Sequence, residues 1–534
     1  MVPSNLDHTI IDVLRRRATQ TPDHVAYRFL DDGTGDRSTS CTYRELWVHV
    51  RTASAWLREL GLAGRRVVLA MPPGIDHVAT FFGALHAGAT VVPAPAPTGR
   101  RAAGHLSSIM HDCDAAAVVA KSGHLERFNL LTGDTPRPVR RLSPEWMDAE
   151  WADAAELTPA VVTDPAVVQY SSGSTGQPKG VILKHEHLMS NGRVLTAHIG
   201  EEPDRVGLTW LPPHHDMGLI GTIVFALHGG WPLVIMAPEH FAQQPYRWLR
   251  AIGEHRVTIS VTPAFALDLC TRSVTDEELS GLDLSSLRHL FCGSDQLFPH
   301  AVTSFTDRFA PYGYREQALI PCYGLAEATL FVSGRVPGSP LVVHDGITSC
   351  GVLGAGHELR ITDPDTGTPV PDEVVGEIRV HGPNVAEGYL DRPEDTARSF
   401  PGDGWLRTGD LGFRHHGELF VTGRLSGMIV VNGRNIQPQD IERTVNAAHD
   451  LVRRSVAFGV AVDGAEAVVV VAELRSYDVD VAGVRAQVLA AVAAEHGVRP
   501  ADVRFVSIGS IPTTTSGKLR RNAAQRHYLT GVTP

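Results

Sequence analysis

Three glycines and four hydroxyl side chains fall within eleven residues, Tyr170-Ser-Ser-Gly-Ser-Thr-Gly-Gln-Pro-Lys-Gly180. Backbone N–H groups at Gly173, Gly176 and Gly180, with the hydroxyls of Ser171, Ser172, Ser174 and Thr175, can form an anion-binding concavity, and Lys179 adds a positive charge. Such a loop wraps polyphosphate, so the expected ligand is a nucleotide triphosphate. It is not the P-loop, which needs Ser or Thr directly after its lysine to hold Mg²⁺, because Lys179 is followed by Gly180 and Val181. The apolar runs on either side, Val161 to Val168 and Val181-Ile-Leu183, argue against an ordinary surface loop. Histidines cluster at His185-Glu-His187, His214-His215-Asp216 and His415-His416, but none has the i, i+4 spacing of a helical zinc site.

The elements around this loop alternate. Arg66 to Met71, Thr90 to Pro93 and Ala115 to Ala120 read as strands, with amphipathic helices over Ile75 to His86 and Arg101 to Cys113 between them. Leu208 to Pro212, Pro232 to Met236, Thr258 to Val261 and Leu290 to Cys292 continue the pattern of short apolar runs followed by a helical period. This is α/β layering with strands buried on both faces. From Gly351 the texture changes to Gly- and Pro-punctuated alternation, as in Glu358 to Asp363 and Gly376 to His381, which predicts a small antiparallel unit over about 351–423. Beyond it come a strand at Met428 to Val431, a helix at Pro438 to Ala448 and a strand pair, Val452 to Val462 with Ala467 to Leu474. A helix at Ala482 to His496 and a strand near Val503 to Ile508 complete a compact α+β unit. The expected division is a large domain over 1–424, containing the β subdomain, and a small one over 425–534.

A chain of 534 residues is too long for one core. Its net charge of −11 argues against broad contact with nucleic acid or an anionic membrane. The clearest basic clusters are Arg15-Arg16-Arg17, expected to be a solvated helix face, and Lys518 with Arg520-Arg521. Six scattered cysteines without a C-x-x-C pair exclude a disulfide framework and a zinc site of usual spacing. With neither a signal segment nor a membrane-length apolar run, a cytoplasmic protein is expected.

Four further segments join the phosphate loop: Trp210-Leu-Pro-Pro-His-His-Asp-Met-Gly-Leu-Ile220, Tyr323-Gly-Leu-Ala-Glu-Ala-Thr329, Trp405-Leu-Arg-Thr-Gly-Asp-Leu-Gly412 and Pro512-Thr-Thr-Thr-Ser-Gly-Lys-Leu-Arg520. Their order and spacing resemble the adenylate-forming superfamily of acyl-CoA synthetases, nonribosomal adenylation domains and firefly luciferase, over nearly the whole chain. Within it the wording is most similar to fatty-acyl-AMP ligases, notably Leu211-Pro-Pro-His-His-Asp-Met-Gly218, Gly324 to Val332, Gly417 to Gly423 and Gly433-Arg-Asn-Ile-Gln-Pro-Gln-Asp-Ile441.

The resemblance implies ATP and Mg²⁺ as cofactors and a role for each matching residue. A carboxylate attacking the α-phosphate brings negative charge to negative charge, so cations must stand where charge builds. Lys518 would contact both the substrate carboxylate and the α-phosphate, carried in by a mobile C-terminal domain. Glu327, with Thr175, would bind Mg²⁺. A helix-capping glutamate is the rival reading of Glu327. Asp410 has two acceptor oxygens suited to a ribose diol, although a turn aspartate would look the same in Thr-Gly-Asp. Arg424 would add a charged contact to ribose or phosphate, Tyr323 with Gly324 an adenine face, and His215 a ring near the substrate carboxylate, where a core histidine is the alternative. Ser172, Gly173, Ser174, Thr175, Gly176 and Lys179 would hold the phosphates, and Gly293 and Ser294 would border the nucleotide.

Three departures stand out. Gly293-Ser-Asp-Gln296 replaces the family's G-A-E-P, Ser426 occupies the hinge position normally Asp or Lys, and the family's insertion is shortened to Arg335 to Thr348. The expected activity is conversion of a carboxylic acid, foremost a fatty acid, to acyl-AMP and pyrophosphate. Transfer to the phosphopantetheine thiol of an acyl or peptidyl carrier protein would follow. An acyl- or aryl-CoA synthetase is the alternative within the same class, and a nucleotide-binding homologue without catalysis the alternative outside it. The carrier is favoured because the C-terminal segment shows no basic cluster for coenzyme A beyond Lys518 to Arg521.

Overall fold

The computed structural model describes residues 7–132, 140–144, 164–170, 179–425, 427–431, 434–462, 465–477, 480–513 and 519–531. Ser172, Gly173, Ser174, Thr175, Gly176, Ser426 and Lys518 lie outside them.

Two large sheets carry the first part of the chain. The nine-stranded sheet runs, edge to edge, through Val352–Leu353, Phe331–Gly334, Leu319–Gly324, His289–Gly293, Ile259–Pro263, Gly207–Thr209, Leu233–Met236, Val25–Leu30 and Ser38–Thr42. Its interior pairs are parallel and its margins antiparallel. The central strands Ile259–Pro263, His289–Gly293 and Leu233–Met236 are buried along their whole length, as a sheet covered on both faces requires. The six-stranded sheet runs Arg140–Leu142, Ala117–Val119, Arg66–Leu69, Thr90–Pro93, Pro165–Tyr170 and Gly180–Lys184, with only the last pair antiparallel. Helix Ile75–His86 is buried on nearly every side, packing in one core with helix Tyr43–Glu59 and residues from both sheets.

Helix Ile10–Gln20 corrects the expectation of a solvated arginine face. Arg15 and Arg16 lie outward, but the Arg17 guanidinium donates to the Leu227 and His228 carbonyls at 3.4 and 3.0 Å, closing the end of helix Phe225–Gly229. Glu358–Thr362, Gly376–His381, Leu406–His415 and Glu418–Arg424 form a four-stranded antiparallel sheet. The last part of the chain has its own apolar clusters, made entirely of residues from Ile429 onward. They pack strands Val452–Val462, Ala465–Leu474 and Asp502–Val506 against helices Pro438–Ala448, Val481–His496 and Arg521–Leu529. Proline at the first helical position sets the start of Pro438–Ala448, where its missing N–H costs nothing.

Candidate active site

In a parallel sheet, ligands bind beyond the carboxyl ends of the strands. Here those ends carry Thr209 leading to His215, Pro263, Gly293 and Tyr323-Gly324, and they open onto a cavity of about 1570 Å³. Its opposite wall comes from the four-stranded sheet, through Thr408, Asp410 and Arg424, and from helices Pro438–Ala448 and Arg521–Leu529.

Asp410 is not a turn residue. It lies inside strand Leu406–His415, directly across from Arg424 on the neighbouring strand, and is 4% exposed. One carboxylate oxygen accepts the Tyr323 hydroxyl at 2.7 Å, and the other lies 2.7 Å from Arg424 Nε. The Asp410 charge raises the Arg424 guanidinium above its ordinary range, while burial raises the Tyr323 phenol. Three of the expected nucleotide contacts therefore form one hydrogen-bonded unit.

Glu327 caps no helix. It sits in the short 3₁₀ turn Ala326–Ala328, where its carboxylate accepts the Tyr389 hydroxyl at 2.8 Å. Burial raises its carboxyl above the ordinary value, with Tyr389, Arg424 and Asp410 as its polar surroundings. The Tyr389 ring also lies 4.9 Å from Lys179 Nζ, which donates to Asp395 at 2.9 Å. Lys179 thus enters the cluster already paired. Gly324 serves the turn itself: a Cβ there would stand 1.7 Å from the Leu330 carbonyl oxygen.

His215 is half-buried at the start of the one-turn helix Asp216–Gly218, its ring 4.8 Å from that of His214. A Cβ on Gly218 would meet the Pro212 carbonyl oxygen at 2.2 Å, so the glycine lets this loop fold back beneath His215. The chain then passes into a π-helical turn, Leu219–Val224, a rare conformation frequent at functional sites. Ser294 holds φ +79°, and its hydroxyl lies 3.1 Å from Met217 Sδ. From this point the cavity continues between Leu208, Phe225, Trp231, Ile259 and Phe291, an apolar extension of the polar end.

The structure brings together Tyr323, Gly324, Glu327, Asp410 and Arg424, with His215, Gly293 and Ser294 on the same cavity and Lys179 joined through Tyr389. Tyr389, Asp395 and Thr408 were missed by sequence reasoning. The signal for Tyr389 was weak, a lone aromatic in Asn384-Val-Ala-Glu-Gly-Tyr389 with no charge or spacing pattern. Among the described residues one His/carboxylate group, Glu186, His187 and Glu387, comes within ligand distance, but the Lys184 ammonium already lies 2.5 Å from Glu387.

The family of AMP-binding enzymes matches residues 14–390, and the AMP domain of Disco-interacting protein 2-like proteins matches 426–534. The chain belongs to the AMP-binding enzyme family. It is 34% identical to a medium-chain-fatty-acid–[acyl-carrier-protein] ligase of Moorena producens, covering 98% of this chain and 95% of that protein. With a 4-hydroxyphenylalkanoate adenylyltransferase of Mycobacterium marinum the identity is 33%, over 98% and 91%. A fatty acyl-adenylate ligase structure from work on the E. coli and L. pneumophila enzymes superposes with a TM-score of 0.88 at 29% identity, covering 98% of both chains. The L. pneumophila ligase in complex with acyl adenylate and pyrophosphate gives 0.76 at 32%, over 98% and 96%. This AMP-binding enzyme is accordingly an acyl-AMP ligase, and its fold is that of adenylate-forming enzymes.

Proposed function

We propose that this ligase activates a fatty acid as its acyl-AMP and passes the acyl group to the phosphopantetheine thiol of a carrier protein. The observation that carries the reading is one cavity lined both by polar Tyr323, Asp410, Arg424 and Glu327 and by apolar Leu208, Phe225, Trp231, Ile259 and Phe291. A carboxylate at the junction faces the nucleotide while its chain is removed from water. The Moorena relative, by its name, joins a medium-chain fatty acid to an acyl carrier protein.

In this reading Asp410 accepts the ribose hydroxyls, Tyr323 lies against adenine, and Arg424 adds charge beside the ribose. A carboxylate oxygen attacks the α-phosphorus and pyrophosphate leaves. Lys518, by its motif, neutralises the charge that gathers in between. The thiol then adds to the acyl carbonyl, AMP departs, and the thiol proton passes to solvent. Mg²⁺ fits the donor set: Glu327 is a buried carboxylate that accepts the Tyr389 hydroxyl beside Arg424 and Asp410. Glu327, with Thr175, would hold the ion, which when bound supplies positive charge to the phosphates. We also infer two bodies, 1–424 and 425–534, and a cytoplasmic location, which six free cysteines support.

The second reading, an acyl-CoA synthetase, draws support from arginines of the C-terminal part that line the cavity, including Arg443, Arg454, Arg475 and Arg526. They are cavity-lining arginines other than the Lys518 to Arg521 stretch. Mass-spectrometric identification of the acyl-AMP formed from a mixed panel of fatty and aryl acids tests the substrate. Coenzyme A and holo-carrier protein offered in parallel test the acceptor. Absence of any acid-dependent pyrophosphate release would refute the activity.

A further inference from the structure

Glu327 stands on a loop under backbone strain. Residues 325–330 double back so tightly that the Leu325 N–H donates to the Leu330 carbonyl at 2.9 Å. Within it the 3₁₀ turn Ala326–Ala328 is followed by Thr329 at φ 60°, ψ −51°, spanned by a bond from the Leu330 N–H to the Ala328 carbonyl at 2.5 Å. That is the strained form of γ-turn, and a β-branched residue at positive φ is an outlier there. Such a conformation persists only where its surroundings over-determine it.

The surroundings are four polar residues that do not line the cavity. The Thr329 hydroxyl donates to the Asn384 carbonyl at 2.6 Å. The Asn384 amide donates to the Phe331 carbonyl at 2.8 Å and to Asn191 Oδ1 at 3.3 Å, while its own Oδ1 pairs with His357 Nε2 at 2.6 Å. Asn191 Oδ1 also accepts the Phe331 N–H at 3.1 Å, and the Ala386 N–H donates to the Glu327 carbonyl at 2.8 Å. Thr329, Asn384, Asn191 and His357 are all buried. A satisfied buried network of this kind specifies one geometry where an apolar core would tolerate several. From Asn384 the chain runs five residues to Tyr389, the hydroxyl that meets the Glu327 carboxylate.

We propose that Thr329 and Asn384 are positioning residues that hold the Glu327 carboxylate for Mg·ATP through the strained turn and its buried hydrogen-bond network. This rests on the role given to Glu327 above. The network fixes both ends of the carboxylate's setting, its backbone through Thr329 and Ala386 and its hydroxyl partner through the Asn384–Tyr389 segment.

The test uses the full chain with Thr329→Ala, Thr329→Gly, Thr329→Ser and, as control, Glu327→Gln. Glycine relieves the positive φ, so T329G should fold at least as well as T329A; serine keeps the hydroxyl. Acid-dependent ATP–pyrophosphate exchange is measured beside the thermal shift given by Mg·ATP over that given by ATP with chelator. T329A and T329G should lower kcat by on the order of 10- to 100-fold, as a misplacement of about an ångström does, with KM for the acid nearly unchanged. Both should lose the Mg-dependent thermal shift, and T329S should restore shift and rate. His357→Phe, one bond further out, should move both readouts the same way by less, and serves if the Thr329 variants fail to fold. Parental exchange and shift in T329G, beside an impaired E327Q, would overturn the positioning role and leave the function of Glu327 standing. A changed melting temperature with unchanged kcat would make the network merely structural and overturn it equally. Parental behaviour of E327Q itself would remove the role of Glu327 and this inference with it.

Discussion

Replacing Asp410 by alanine should separate two functions that one carboxylate performs. It accepts the Tyr323 hydroxyl and pairs with Arg424, each at 2.7 Å. Removing the acceptor leaves the buried Tyr323 hydroxyl with only the Thr408 hydroxyl beside it, at a cost of about 1–3 kcal/mol. The Arg424 side chain is 47% exposed. Water screens that half of the pair, so its loss costs about 0–1 kcal/mol. Stability should therefore fall by about 1–4 kcal/mol, mostly through Tyr323. Nucleotide binding should fall separately: ribose hydroxyls without their acceptor lose about 1–3 kcal/mol, roughly 5- to 150-fold in affinity. Tyr323→Phe distinguishes the two. In the double variant no hydroxyl is left unsatisfied, so the stability loss should be smaller than the sum of the single losses, while the ATP defect of Asp410→Ala remains. Denaturant midpoints and ATP titrations at saturating acid measure the two quantities. An unchanged ATP KM in a folded Asp410→Ala variant would refute the ribose assignment.

Lys518→Ala should slow adenylation by about a hundredfold or more while leaving ATP binding nearly intact, and transfer from supplied acyl-AMP should survive. Equal losses of rate and ATP affinity would contradict that role. Arg521→Ala should destabilise the C-terminal part by about 3–5 kcal/mol, because buried Glu442, bonded to Arg521 at 2.8 and 2.5 Å, would lose its cation and keep only the Ala457 N–H as donor; limited proteolysis reads this. Burial pushes the rings of His77 and His185 from the ordinary 6.5 down to about 4. The unfolded chain then binds protons that the folded one refuses, so stability is unaffected above pH 6.5 and falls as pH drops toward 4, by up to about 3 kcal/mol for each ring. Denaturant midpoints equal at about pH 7.5 and about pH 5 would contradict this. Transfer to carrier protein should weaken with added salt if arginines steer the encounter, and a flat salt response would remove that part of the reading.

Much of the fold was legible because buried parallel strands are short apolar runs closed by turns, and helices repeat every third or fourth residue. Helix Ile75–His86 and helix Pro438–Ala448 have the expected bounds, and the strand expected over Arg66 to Met71 ends two residues sooner. The hairpin Val25–Leu30 with Ser38–Thr42 was not anticipated, since Ser-Thr-Ser-Cys-Thr is a polar, largely exposed edge strand without an apolar alternation to announce it. Sheet order was not legible either. Nothing local places residues 25–30 beside Leu233–Met236, a pairing settled by helices on both faces competing for one core.

The site was legible where chemistry demands a residue type within a short motif, and illegible where geometry needs only a neighbour of the right shape. Tyr323, Glu327, Asp410 and Arg424 announce themselves by type and motif, but Tyr389 and Asn384 matter only once the fold brings them onto a loop some 60 residues earlier. The arginines of the C-terminal part show the same limit with a larger consequence. Sequence reasoning singled out Arg520 and Arg521 with Lys518, yet five more, Arg443, Arg453, Arg454, Arg475 and Arg526, line the cavity with them against Glu442, Asp450 and Glu495. Burial lowers the Arg454 guanidinium, Glu473 and Asp295 raise it, and Arg453 and Arg272 lower it again, so an anion would meet positive charge already partly offset by carboxylates. A phosphopantetheine phosphate is such an anion, and it is common to carrier protein and coenzyme A. In the proposed reading the arginines would favour a phosphopantetheine thiol without choosing between its two sources. That choice falls to whatever meets the adenosine end of coenzyme A, a chemical group the carrier lacks.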